Sequence, residues 1–226
     1  MHGSYKPTRV PLMANGIYAV LIADIVASTA RQDVRALLRK KLAAASEKHL
    51  HQKLIRLPYS VTAGDEFQTI TAELPPLPAL ILDLRSALRP LSLRVGVGIG
   101  RVSGRILAPV NQLTGEAFQF ARRAIESIKE GNLFKFDVLT AFASRNEDFN
   151  ETINLIYGLH DTLVLQITSK QWEAIEAYLS RETLKPTARR LRVDISTVSR
   201  NLKRGYYWQL AETVNRAGSF IEHTFG

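Results

Sequence analysis

Hydrophobic residues follow two alternating patterns up to about residue 145. Short continuous apolar runs, typical of buried strands, alternate with longer segments in which apolar residues recur every three or four positions, as on one face of a helix. Leu37, Leu38 and Leu42 show the helical spacing. The predicted strands are 17–23, 54–61, 67–72, one within 91–104 and one within 133–142, and the predicted helices are 31–52, about 77–89 and about 114–130.

The order of these elements predicts the fold of this part of the chain. Strands and helices follow one another as β-α-β-β-α-β-α-β, which is the split βαβ, ferredoxin-like arrangement of a mixed sheet with helices on one face. We therefore expect an α+β domain at residues 17–145, preceded by a flexible N-terminal tail at 1–16.

After residue 145 only helical spacing recurs. A connecting segment, 146–167, leads to three predicted helices at 169–180, 184–193 and 194–204, followed by further helix from 205. The apolar residues expected to face inward are Trp172, Ile175, Leu179, Ala188, Leu191, Ile195, Val198 and Leu202. This spacing predicts an all-α domain at residues 168–226.

Composition excludes several classes of protein. The chain has 226 residues, is 46% hydrophobic and contains no Cys, so it can bury a core and has neither disulfides nor a thiolate zinc site. No apolar run is long enough for a membrane helix, and residues 1–16 lack the apolar segment of a secretory signal. We expect a cytoplasmic protein that has no membrane partner.

The net charge of +9 is unevenly distributed. Residues 146–226 carry ten basic and ten acidic residues, yet the segment 181–204 within them carries eight basic and only two acidic ones. Such a basic block predicts a positively charged face of the kind that binds nucleic acid. An ordinary solvated helix surface is the alternative.

Acidic residues lie at the ends of strands that the predicted order makes neighbours. Asp24 follows the first strand, and Asp65 and Glu66 lie in the turn before the third. The Asp24 and Asp65 carboxylates would repel each other unless a cation lay between them. Mg²⁺ prefers oxygen ligands and binds carboxylates together with substrate phosphates, so we predict a Mg²⁺ or Mn²⁺ site. Capping of the next helix by Asp24 is the alternative, and Glu66 is equally consistent with simple turn chemistry.

Four segments resemble, in the same order, the motifs of class III nucleotidyl cyclases. They are ADIVAST (23–29), AGDEF (63–67), LRVGVGIGRVSG (93–104) and TGEAFQFARRAIESI (114–128). AGDEF also resembles the signature of GGDEF diguanylate cyclases. The resemblance implies a nucleotidyl cyclase-like palm domain that binds a nucleoside triphosphate. The whole chain, including its tail, resembles the SatD family of prokaryotic proteins.

The cyclase resemblance implies roles for particular residues. Asp24 and Asp65 match the metal aspartates, and Ile25 would offer its carbonyl oxygen. The turn of Ala27, Ser28 and Thr29 matches the phosphate-binding loop, which is consistent with the affinity of helix N-termini for anions.

For catalysis, Arg123 matches the arginine that steadies the transition-state phosphate. Gln119 replaces the asparagine that orients the ribose, and Val61 replaces the lysine that reads adenine. These two departures leave the fold and the metal site better supported than cyclisation. Class III cyclases build their site across a homodimer, so the resemblance also implies a dimer.

The tail resembles bacterial helix-turn-helix domains. The pattern A-x-x-L-x-V-x-x-x-T-V-S-R-x-L covers residues 188–202, with Arg192 in the turn where Gly is common and Asp194 at the expected start of the recognition helix. The resemblance implies double-stranded DNA as a partner, contacted by Thr187, Ser196, Thr197, Ser199, Arg200 and Arg204. A three-helix packing or dimerisation module is the alternative.

These patterns leave three hypotheses for function. The first is a nucleotide-responsive transcriptional regulator that has little catalytic activity. The second is an active nucleotidyl cyclase or nucleotidyltransferase whose tail serves recruitment. In the third, the palm domain only dimerises a DNA-binding tail. Gln119 and Val61 favour the first hypothesis, whereas Asp24, Asp65 and Arg123 keep the second open.

Overall fold

The computed structural model describes residues 16–26, 32–180 and 183–226. The chain has an α+β fold, and the predicted order of the first eight elements is confirmed. The strands are β1 Ile17–Ile25, β2 Ser60–Ala63, β3 Glu66–Thr71, β4 Leu93–Arg101 and β5 Thr140–Ala143. The helices are α1 Gln32–His51, α2 Leu77–Leu88, α3 Glu116–Glu130, α4 Glu147–Gln166, α5 Ser169–Leu179, α6 Leu184–Leu191, α7 Ile195–Arg204 and α8 Tyr207–Phe225. The predicted flexible tail lies, apart from Gly16, outside the described residues.

The strands form one mixed sheet in the order β2-β3-β1-β4-β5. β1 lies at its centre and pairs antiparallel with both β3 and β4, whereas β5 pairs parallel with β4. The end of β1 is therefore flanked by the start of both neighbours, with Ala23 opposite Phe67 on β3 and Asp24 opposite Arg94 on β4. This edge of the sheet is where the sequence predicted a site.

The helices cover both faces of the sheet, so the prediction that they lie on one face is wrong. Helices α1 and α2 pack with Leu21 and Val97 on one side, whereas α3 packs with Val20 and Ile22 on the other. Alternate β1 residues are buried on opposite faces, and both faces need a cover.

Glycines in β4 allow the backbone of α3 to touch the sheet. A Cβ atom on Gly98 would lie 2.0 Å from the carbonyl oxygen of Ala117, and one on Gly96 would lie 2.5 Å from the backbone nitrogen of Ile125. The glycine-rich strand therefore serves close packing against a helix rather than the approach of a ligand.

The tail folds into helices α5 to α8. Trp172, Ile175, Val198 and Leu202 are buried in a shared apolar cluster, as predicted. Ile195 and Leu179, which were expected to face inward, are instead 46% and 39% exposed.

The turn between α6 and α7 requires an unusual backbone conformation. Arg192 ends α6 with φ 55° and ψ 46°, in the left-handed region where Gly is preferred. Asp194 occupies the first position before α7, as expected, although its side chain makes no capping hydrogen bond.

Helices α4 and α8 link the tail to the sheet. The Asn154 side chain of α4 accepts a hydrogen bond from the Phe142 backbone N–H and donates one to the Phe142 carbonyl. In α8, Leu210 belongs to the tail cluster, whereas Ala217 and Ile221 lie in the core beneath the sheet. The division at residues 146 and 168 stays a prediction. Within the residues described, no helix is long and apolar enough to cross a membrane.

Candidate functional site

Asp24 lies at the end of β1 on the face that α3 covers, and its side chain is only 7% exposed. Arg94, directly across the ladder on β4, donates from Nε to Oδ1 at 2.9 Å. Lys129, in the last turn of α3, places its Nζ 2.8 Å from Oδ2. Both carboxylate oxygens therefore already have a cationic partner.

Glu66 begins β3 on the same face and joins this network. Arg122 of α3 donates to both of its carboxylate oxygens, at 2.8 and 2.7 Å, in a bidentate pair. Lys129 Nζ lies 3.5 Å from Oε2 and so contacts both acids. Burial alone would raise the pKa of Glu66, but the hydrogen bonds and charge of Arg122, with the charge of Lys129, lower that pKa below its ordinary value.

Asp65 lies in the turn beside Glu66, where Gly64 has a φ of +63°. It is partly exposed, whereas Glu66 is the residue that shares a cation with Asp24. Ile25 is buried, and opposes Leu93 in the ladder with β4. The pairing of Asp24 with Asp65 across a metal therefore stays a prediction, while the observed pairing across Lys129 is between Asp24 and Glu66.

The observed side chains do not fit a divalent cation as they are arranged. No group of three or more His, Asp or Glu side chains suited to a metal occurs in the described ranges. At Asp24, Arg94 contacts Oδ1 and Lys129 contacts Oδ2. A metal bound to either oxygen would therefore lie beside a positive charge that repels it.

The residues predicted for catalysis lie away from this network. Arg123 is exposed, with its guanidinium 5.1 Å from the centre of the Phe120 ring and its Nη2 4.0 Å from Glu147. Gln119 is exposed on the same helix. The predicted phosphate-loop residues Ala27, Ser28 and Thr29 lie outside the described residues. The roles predicted for these five residues stay predictions.

Sequence reasoning missed the three basic residues of the network, Arg94, Arg122 and Lys129. Arg94 has a usable signal, because the antiparallel pairing of β1 with β4 puts it opposite Asp24. Arg122 and Lys129 are seven residues apart, which is two helical turns and hence one helix face. That spacing could have identified them once α3 was assigned to the same side of the sheet as Asp24.

A second group of charged residues lies on α6 and α7. Its seven basic side chains, which we call the basic surface, are all exposed, and none forms an ion pair with a carboxylate in the part of the chain that the structure describes. They are Lys185, Arg189, Arg190, Arg192, Arg200, Lys203 and Arg204. Arg190 donates to the Ser180 hydroxyl at 2.7 Å, and its charge also acts on the Glu176 carboxylate without forming an ion pair with it.

Most of the residues predicted to contact DNA lie on this surface. Ser196, Ser199, Arg200 and Arg204 are exposed on α7, and Thr197 is partly exposed. Thr187 is fully buried, and its hydroxyl donates to the Thr183 carbonyl at 2.8 Å. The prediction that Thr187 contacts the DNA backbone is therefore wrong, because this threonine stabilises α6 from inside.

Several known structures resemble this chain, and two of them show how distant the likeness is. A bacterial light-regulated adenylyl cyclase is 15% identical with a TM-score of 0.42; the match covers 56% of this chain and only 43% of the cyclase chain. A regulator of polyketide synthase expression from Bifidobacterium adolescentis is 13% identical with a TM-score of 0.28, over 92% of this chain and 86% of the regulator. Both scores are too low to support a conclusion about fold or function.

Comparison of sequences is more informative. No curated protein matches this chain. The model of the SatD family matches residues 18–206, which include the whole sheet, the charged network at the end of β1 and the basic surface of α6 and α7. The chain therefore belongs to the SatD family.

Proposed function

We propose that this protein is a DNA-binding regulator in which α6 and α7 contact duplex DNA as a helix-turn-helix. The observation that supports this most is the basic surface, where seven exposed basic side chains have no acidic partner in the described residues. Exposed cations without partners lose little when they contact phosphates, and they release the counterions that surround DNA.

The two sides of α7 suit a recognition helix. Val198 and Leu202 anchor one side in the apolar cluster and are fully buried. Ser196, Ser199 and Arg200 are exposed on the other side. Short hydroxyl side chains and arginine are suited to hydrogen bonding with base edges in the major groove, so we assign the contacts that select sequence to these residues.

In this proposal the palm domain has a structural role. The Asp24 and Glu66 carboxylates are engaged by Arg94, Arg122 and Lys129, which disfavours metal-dependent catalysis. Nucleotide binding and cyclase activity stay predictions from the sequence, because no contact among the described residues favours them.

We further propose that the regulator is a homodimer that pairs through α4. Between residues 152 and 163 the solvent side of α4 carries an uncharged stripe, which includes Leu155 at 51% exposure and Leu159 at 60%. Exposed apolar residues at helical spacing mark an interaction surface. A second copy of the chain suits this surface, because a helix-turn-helix protein ordinarily reads two half-sites as a symmetric dimer.

The charges at the two ends of the stripe fit an antiparallel pair of α4 helices. Glu147, Asp148 and Glu151 lie before the stripe on α4, and the exposed Lys170 follows it in the first turn of α5. Two-fold symmetry would place the acidic end of one copy beside Lys170 of the other, where opposite charges attract.

The dimer is tested by sedimentation equilibrium of the full chain. We expect Leu155→Glu combined with Leu159→Glu to convert a dimer into a folded monomer, because four buried carboxylates would repel across the interface. Leu107→Glu, at another exposed leucine, is the matched control and should leave the dimer intact. A wild type that is monomeric at high concentration contradicts the proposal.

DNA binding is tested by fluorescence anisotropy of the full chain with duplex DNA at several salt concentrations. Arg204→Ala should weaken binding about equally for all sequences and reduce the log–log salt slope by about one unit. Ser199→Ala should instead change the preference among sequences, by about 1–3 kcal/mol for a lost base contact.

Arg216→Ala is the matched control for these substitutions. Arg216 is exposed on α8 outside the basic surface and pairs with Glu212 at 2.7 Å. Its loss should leave the affinity and the salt slope close to wild type. A full chain that binds DNA no better than a protein of equal net charge at low salt would refute the proposed function.

A further inference from the structure

We propose that the ammonium of Lys129, which bridges Asp24 and Glu66, supplies at Asp24 the positive charge that the resemblance to cyclases would give to a divalent cation between Asp24 and Asp65, so that the palm domain folds and works without metal there. This inference is independent of DNA binding, since it concerns the opposite region of the molecule.

The distances from the Lys129 ammonium show that it bridges the carboxylates of Asp24 and Glu66. Lys129 Nζ lies 2.8 Å from Asp24 Oδ2 and 3.5 Å from Glu66 Oε2. The two carboxylates are 7% and 13% exposed, whereas the lysine side chain is 34% exposed. Two carboxylates that lie close together with little exposure to solvent are stabilised by a positive charge between them, and here the Lys129 side chain supplies that charge.

The surrounding charges leave little attraction for a metal. Asp24 and Glu66 meet Arg94, Arg122 and Lys129, and Glu126 also acts on Arg122, so these three acids and three bases are close to neutral when every group is ionised. A divalent cation would have to displace the lysine from Asp24. Mg²⁺ also gives up its hydration water reluctantly, which adds to the cost.

The position of α3 explains how the lysine reaches the sheet. Gly96 and Gly98 let the backbone of α3 lie against β4, and the helix runs from the far end of β4 towards Asp24. Lys129 is in its last turn, just before the left-handed Gly131. A cation there is also stabilised by the carbonyl groups at the helix C-terminus. The glycine-rich strand and the lysine are therefore parts of one arrangement.

The experiment has two arms, both on the full chain. In the first, Mn²⁺ alone is titrated into wild type and Asp24→Asn, and binding is followed by electron paramagnetic resonance of free Mn²⁺. We expect the two proteins to take up equally little Mn²⁺. A saturable site in wild type that is lost in Asp24→Asn would overturn the inference.

In the second arm, thermal unfolding is compared at neutral pH without metal. Lys129→Gln should lower the melting temperature by about 2–6 °C, because both carboxylates lose a cationic partner. Lys129→Arg keeps the charge and should recover most of this loss. Lys135→Gln is the matched control, since Lys135 is exposed and forms no ion pair among the described residues.

Each outcome of the two arms either supports or contradicts the lysine bridge. If Lys129→Gln has the same melting temperature as wild type, the ammonium is not needed for stability and the inference fails. If Lys129→Gln does not fold, the loss of stability is larger than expected and has the predicted sign. The Mn²⁺ titration of wild type then still separates a lysine bridge from a metal site.

Discussion

Two groups of charged residues in this protein are arranged in opposite ways. At the end of β1, five side chains from four elements neutralise one another within a few ångströms, and the acids among them are buried. On α6 and α7, seven basic side chains are exposed and lack acidic partners in the described residues. Charges that the fold pairs internally stabilise the fold, whereas charges that it leaves unpaired are available to a partner.

The difference matters because both groups of charged residues lie in segments whose sequences resemble functional motifs. Asp24 and Glu66 lie in segments that resemble catalytic motifs, and Arg200 lies in a segment that resembles a DNA-binding motif. Only the contacts of their side chains distinguish the two groups. Asp24 is held by Arg94 and Lys129, whereas Arg200 has no described acidic neighbour. The same motif evidence therefore points to structure in one region and to binding in the other.

The largest expected effect comes from reversing charge on the basic surface. Arg200→Glu combined with Lys203→Glu should lower DNA affinity by about 100-fold or more, because a base contact and a phosphate contact are lost and both new carboxylates repel the phosphate backbone. The melting temperature should stay within about 1–2 °C of wild type, since surface substitutions of unpaired residues cost little. Anisotropy and thermal unfolding of the full chain measure the two effects.

The matched control for this double reversal is Lys135→Glu combined with Arg216→Glu. It changes the net charge by the same amount at exposed positions outside the basic surface. A similar loss of affinity in this control would mean that total charge, rather than the α6–α7 surface, determines DNA binding.

A smaller effect is expected from Glu66→Gln, in stability and not in DNA binding. Arg122 and Lys129 would lose their charged partner, so unfolding free energy should fall by about 1–3 kcal/mol at pH 7. Because the pKa of Glu66 is lowered in the folded protein, its carboxylate stabilises the fold fully above the ordinary value of about 4.3. This contribution is lost as the pH falls through the lower folded-state pKa.

The difference between wild type and Glu66→Gln should therefore shrink as the pH falls from 7 towards 3. Urea unfolding at several pH values measures it. Glu47→Gln, at an exposed position on α1 that has no ion pair among the described residues, serves as the control and should show little difference at any pH. A difference for Glu66→Gln that stays constant down to pH 3 would contradict a role for its ionised carboxylate.

The smallest effect is expected at the α6–α7 turn. Arg192→Gly should raise the free energy of unfolding by about 0.5–1 kcal/mol, because Gly adopts a φ of 55° without the steric cost of a Cβ atom. Arg192→Ala removes the same charge but keeps the strain, so it should not stabilise. Chemical denaturation of the three proteins distinguishes relief of backbone strain from loss of charge; equal effects of Gly and Ala would exclude the backbone explanation.

Sequence reasoning predicted the elements of the fold but not the partners at the site. Apolar periodicity is a local signal, and it located β1, α3 and the buried face of α7. The choice between Asp65 and Glu66, or between Arg123 and Arg122, depends on a single residue. One position reverses the face in a strand and turns a helix by about 100°. Such choices are fixed by tertiary packing, including the side of the sheet on which α3 lies.

Helix α8 ties the tail to the core of the sheet, which limits how the proposed DNA-binding surface could change. Its first half belongs to the α5–α7 cluster through Leu210, and its second half fills the core under the sheet through Ala217 and Ile221. Gly218 lies so close to Pro75 that an added Cβ atom would be 2.8 Å from the Pro75 carbonyl oxygen. A recombination event that exchanged the α5–α8 segment for that of another protein would remove part of the sheet's own core. In the regulator proposed above, new specificity would therefore arise more easily by point substitutions on the exposed side of α7 than by exchange of the whole α5–α8 segment.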